Sequence, residues 1–90
     1  MGRLEHLQAL CHQHELSRID VGYRIYGRGH SCVGATIWYD VPEHRPENVH
    51  GCSGGSGQTE EEALGKALAD VANVRRRLAD WVLVPPKERA

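Results

Sequence analysis

Six histidines and three cysteines in 90 residues raise the question of metal or nucleophile chemistry first. Cys11-His12-x-His14, His30-x-Cys32 and His50-x-Cys52 each bring a thiol and an imidazole close in sequence. A structural zinc site needs four such ligands on a recurring spacing, and neither a repeated Cys-x-x-Cys nor a His-Glu-x-x-His pattern occurs. A catalytic cysteine needs a base that lowers its pKa, and any histidine-rich chain offers pairs of that kind by chance. The run Gly51-Cys52-Ser53-Gly54-Gly55-Ser56-Gly57 lacks the lysine of a phosphate-binding loop. We therefore expect no metal, no cofactor and no enzyme, with Cys11 serving as a small packing residue.

The side chains that remain are those that bind surfaces. Tyr26 and Trp38, with Arg24 beside Tyr26, are residue types that anchor protein interfaces when exposed. Arg75-Arg76-Arg77 is a basic run that suits a phosphate or an acidic protein. Asp40, Glu43, Glu47 and the consecutive Glu60, Glu61 and Glu62 make the middle of the chain acidic.

Periodicity assigns the elements that must carry these groups. Leu4, Leu7, Leu10 and Cys11 recur at helical spacing, which predicts a helix over Arg3 to His14. From Ile19 the period is two: Ile19, Val21, Tyr23 and Ile25 alternate with Asp20, Gly22, Arg24 and Tyr26, as in a half-buried strand. Gly27-Arg28-Gly29-His30 reads as a hairpin turn. Val33, Ala35, Ile37, Tyr39 and Val41 then face one side of a second strand, and Trp38 faces the other. Val49 to Ser53 is expected to form a short third strand that the glycines from Gly54 to Gly57 end. Thr59-x-x-Glu62 fits a capping box at the start of a second helix. Ala63, Ala67, Val71, Val74, Leu78 and Trp81 stripe that helix, and Pro85-Pro86 stops it.

The order predicts an α+β domain, α-β-β-β-α, with two helices packed on one face of a three-stranded antiparallel sheet. Residues 1–84 are expected to form a single domain and 85–90 a polar tail. Eleven basic and twelve acidic residues leave a net charge of −1, with no long-range pull toward nucleic acid or anionic lipid. The longest apolar run is the four residues from Trp81 to Val84, so no membrane span is expected, and no secretory signal is visible. An odd number of widely spaced cysteines suits a reduced, cytoplasmic setting.

Three local patterns resemble the double-stranded RNA-binding domain family. They are Leu7-Gln8-Ala9-Leu10-Cys11 in the first helix, Tyr23 followed by Gly27-Arg28-Gly29-His30, and Gly55-Ser56-Gly57-Gln58-Thr59 followed by Ala63 and Ala67. The likeness spans roughly Leu4 to Val74. It implies the fold above, and contacts to duplex RNA from the first helix, the hairpin turn and lysines at the start of the last helix. At the lysine positions this chain has Glu60, Glu61 and Leu64, and at the family's first-helix glutamate it has Ala9. A carboxylate about 6 Å from a phosphate in water is repelled by roughly 0.7 kcal/mol, so Glu60, Glu61 and Glu62 together oppose binding by on the order of 2 kcal/mol.

The expected function is therefore a small non-enzymatic protein-interaction module. It would bind a protein partner through Arg24, Tyr26 and Trp38 or through Glu60 and Glu61, and could pair with itself as a homodimer. Its size and character resemble a phage or mobile-element accessory protein that inhibits a host factor, of the anti-CRISPR type. The competing expectation is nucleic-acid binding through Gln8, Arg28, His30, Arg75 and Arg76.

Overall fold

A computed structural model describes residues 2–83; the tail at 85–90, with Lys87 and Arg89, and the Pro85-Pro86 stop lie outside the described residues. The element order is α1 (Arg3–His14), β1 (Arg18–Tyr26), β2 (His30–Trp38), β3 (Cys52–Gly57) and α2 (Glu60–Leu83). The strands form one antiparallel sheet in the order β1-β2-β3. The architecture is thus the α-β-β-β-α arrangement that periodicity predicts.

The core lies between α2 and the strands β2 and β3. Ala35 and Ile37 on β2 are fully buried, and Ala63, Ala67 and Val71 on α2 pack over them. Helix and sheet approach each other closely at Gly55. A Cβ on Gly55 would fall 2.5 Å from the carbonyl oxygen of Ala63 and 2.7 Å from the amide nitrogen of Ala67, both backbone atoms of α2. Only a residue without a side chain fits there.

That contact corrects the expected third strand. Gly54 to Gly57 do not end β3; they constitute most of it. Glycine ordinarily weakens a strand, but here the missing side chains are what let α2 dock. Val49, expected inside the strand, precedes it and is buried in the core. β2 is also shorter than its alternation suggests. It ends at Trp38, although Tyr39 continues the pairing by donating its N–H to the Gly51 carbonyl at 2.9 Å. The buried Tyr39 hydroxyl lies 2.8 Å from Ser53 Oγ, so the two satisfy each other.

At the α2 start the capping box forms in modified form. The Glu62 amide donates to Thr59 Oγ1 at 3.1 Å, while the Glu62 carboxylate accepts from the amide of Gln58, at 3.3 Å, rather than from that of Thr59. The β1–β2 turn is closed by the Gly29 amide donating to the Tyr26 carbonyl, with Gly29 at φ +88°.

α1 covers less than its pattern promises. It has no fully buried residue, and Leu4 is 77% exposed; Leu7, Leu10 and the half-buried Cys11 pack against the core from its margin. The far half of β1 is bare. Tyr23 and Ile25, which alternation assigns to the covered face, are 76% and 75% exposed. They do lie on the helix side, opposite Val33 and Ser31 of β2, but neither helix covers them.

Because the obstacle at Gly55 is helix backbone, Gly55→Ala is expected to destabilise the chain by about 1–3 kcal/mol. Gly54→Ala, whose nearest neighbour is the Ala35 carbonyl oxygen at 3.6 Å, should stay within about 0.5 kcal/mol. Denaturant midpoints of the two variants check this.

Candidate interaction surfaces

Strand register puts Arg18, Asp20, Arg24 and Tyr26 of β1 on the sheet face away from the helices. His30, Thr36 and Trp38 of β2 and Cys52 of β3 share that face. Three local arrangements organise it. At one end the Arg18 guanidinium lies 4.7 Å from the centroid of the Trp38 ring and makes two 2.9 Å hydrogen bonds to the Asp20 carboxylate. Asp20, through those bonds and its charge, holds Arg18 above the ordinary guanidinium range, so it is a permanent cation. In the middle Arg24 lies flat on Gly34, where a Cβ would meet its Nε at 2.5 Å. At the other end the Tyr26 ring stacks on His30 with centroids 4.6 Å apart.

Trp38, half-buried, and Tyr26, 47% exposed, therefore share a face as alternation implies. They do not form one patch. Trp38 pairs with Arg18 and Tyr26 pairs with His30, at opposite ends of β1. Eight residues at about 3.3 Å each separate the two ends by roughly 26 Å. Arg24 stands with Tyr26, and Arg18, which the sequence reading passed over, stands with Trp38.

The acidic pair sits elsewhere. Glu60 forms an ion pair with Arg3, whose Nε donates to it at 3.2 Å, and so ties the N-terminus of α2 to that of α1. Glu60 and Glu61 rim a cleft of about 450 Å³ between the helices, with His6, Leu10, Leu64 and Leu68 among its walls. Glu62 caps its own helix and pairs with Lys66 at 3.4 Å. All three glutamates of α2's first turn thus stand where the helix dipole favours negative charge.

The residues of the nucleic-acid reading are scattered. Gln8 lies on α1 beside Cys11 and Ile19. Arg28 is exposed at the hairpin tip, and His30 stacks on Tyr26. Arg75 is committed to the fold. Its Nη1 donates to the His14 carbonyl at 2.6 Å and its Nη2 to the Glu15 carbonyl at 3.0 Å, while its guanidinium lies 5.7 Å from the Tyr39 ring centroid. It thereby satisfies the last carbonyls of α1, where Glu15 takes a left-handed conformation that glycine usually fills. Arg76 is exposed and donates to Asn73 Oδ1 at 2.7 Å.

The cysteines form no disulfide. Among the described residues, no group of three or more His, Cys, Asp and Glu side chains could hold a metal ion, and no helix is long and apolar enough to cross a membrane. The signal that sequence reasoning missed is the exposure of Tyr23 and Ile25, and of Leu4 on α1. Spacing reveals which face they share but not that a short α1 leaves them uncovered. No known family model matches the chain, and no curated protein or solved structure is significantly similar to it.

Arg75→Ala is expected to destabilise the chain by about 1–3 kcal/mol, since it strips two charge-assisted bonds from the carbonyls that end α1. Arg76→Ala should stay within about 0.5 kcal/mol. Thermal unfolding of the pair separates a capping arginine from a merely basic one.

Proposed function

We propose that the chain is a non-enzymatic protein-interaction module that binds its partner through the outer sheet face. The observation that carries this reading is the arrangement of that face. Arg18 lies over Trp38, Arg24 over Gly34, and Tyr26 against His30, on the sheet face opposite the one that α2 packs on. Aromatic and arginine side chains already held in place lose little rotamer freedom on binding, which is why such residues dominate interface energetics.

Charge favours a polypeptide over duplex RNA. The double-stranded RNA-binding resemblance would put phosphate-clamping lysines at the start of α2, and Glu60, Glu61 and Glu62 occupy that turn. Arg75, one cation of the basic run, is spent on the end of α1. Such a module acts by covering a partner's surface, which is all that a phage-borne inhibitor of the anti-CRISPR type would require.

The test uses the purified chain as bait beside Arg24→Glu, Trp38→Ala and Glu61→Lys variants. A partner held by wild type and by Glu61→Lys, and lost at least tenfold in Arg24→Glu and Trp38→Ala, is the expected result. A low-salt gel shift with duplex RNA should show no retention. Tight binding of that duplex that collapses as salt rises would replace this reading with the nucleic-acid one.

A further inference from the structure

We propose that two copies of this chain pair through β1, antiparallel about a two-fold axis at Gly22, to make one continuous six-stranded sheet. β1 ends the sheet, and among the described residues no strand pairs with its outer edge. Edge strands are ordinarily blunted by shortness, charged side chains, proline or a bulge; the charges of β1, Arg18, Asp20 and Arg24, are of both signs and can pair across a second copy, and the other devices are missing. β1 is nine residues long, Arg-Ile-Asp-Val-Gly-Tyr-Arg-Ile-Tyr, without proline, and pairs with β2 at every position without a bulge.

The alternation of the ladder decides which groups face outward. The Tyr39 amide bonds Gly51 on β3, so the odd-numbered residues of β2 face β3 and the even-numbered ones face β1. Their partners on β1 are even-numbered as well, which leaves the N–H and C=O groups of Ile19, Val21, Tyr23 and Ile25 directed away from β2. A two-fold at Gly22 sets Val21 opposite Tyr23 of the second copy, and Ile19 opposite Ile25. These are the pairs that exchange hydrogen bonds.

The same register matches the side chains on both faces. On the helix side Tyr23 and Ile25, three-quarters exposed in one chain, come to lie beside Val21 and Ile19 of the other. There the second copy has an open cleft walled by Leu4, Leu7, Ile19 and Val21 and rimmed by Arg3 and Asp20. On the outer side Asp20 meets Arg24 of the second copy and Arg18 meets Tyr26. Centring the axis on Val21 would set Arg18 against Arg24, and centring it on Arg24 would oppose two arginines, so charge selects Gly22 over both. The pairing also joins Trp38 and Arg18 of one copy to Tyr26 and His30 of the other in a single row. The inference rests on β1 alone and holds whatever else the outer face binds.

Solution mass across concentration tests it, together with Gly22→Cys. Nothing lies within 4 Å of a Cβ at Gly22, so the substitution leaves the single chain undisturbed. Across the axis the two Cα atoms would be about 4.5 Å apart, within disulfide range. We expect twice the 10.0 kDa of one chain, and a disulfide that peptide mapping places between position 22 of two copies under mild oxidation. Arg24→Asp should weaken the dimer at least tenfold, and adding Asp20→Arg should restore it. A chain that remains at monomer mass at about 1 mM overturns the proposal. So does a dimer that forms no disulfide at position 22, or one that Arg24→Asp leaves as tight as before.

Discussion

The close approach of α2 to Gly55 sets the geometry of the whole domain. With Ala63 and Ala67 against a strand that has no side chain there, the helix backbone comes nearly into contact with the sheet. The 24-residue helix, about 36 Å long, is thereby held over β2 and β3 by its N-terminal half. β1 is left to α1, and twelve residues that bury no side chain fully cannot roof a nine-residue strand. The exposure of Tyr23 and Ile25 is thus a consequence of where the glycines of β3 lie, two strands away.

Position in the fold, rather than sign alone, decides what the charges do. Arg75 and Arg76 are neighbours in sequence and differ completely in role, because helical rotation turns one toward the end of α1 and the other toward solvent. Glu60 and Glu62 are likewise engaged, one to Arg3 and one to the backbone ahead of its own helix. From a basic run and an acidic run that look like two binding patches, Arg75 and Glu60 are thus taken to fasten α1 to α2, and Glu61, Arg76 and Arg77 are left exposed. Arg18 and Arg24 differ from these: they are braced on the outer face by an aromatic ring and a bare backbone, and both remain exposed.

Element order, both helices and the hairpin were legible because each rests on local information: a period of 3.6 or 2, a capping threonine, glycines in a turn. The placement of Trp38, Arg24 and Tyr26 on one face was legible for the same reason. What could not be read was anything set by a partner far away in sequence. Gly54 to Gly57 look like a strand terminator until Ala63 and Ala67 are seen against Gly55. Arg75 looks solvent-facing until the carbonyls of His14 and Glu15, some sixty residues earlier, are found beneath it. The 26 Å between Trp38 and Tyr26 is a matter of strand register, which alternation does not fix.

The alternation of β1 carries a further implication. Ile19, Val21, Tyr23 and Ile25 continue a single apolar face to the hairpin, yet the chain's own helices cover only its first half. A strand meant to face water on both sides has no use for that pattern beyond Val21, since each large apolar side chain left in water forgoes about 1.5–3 kcal/mol of burial. The pattern is that of a strand covered along its length, and no described residue covers its second half. The second copy is the occupant whose charges and apolar groups are already in register with it: Arg24 stands as far beyond Gly22 as Asp20 stands before it, and Tyr23 and Ile25 as far beyond as Val21 and Ile19 before.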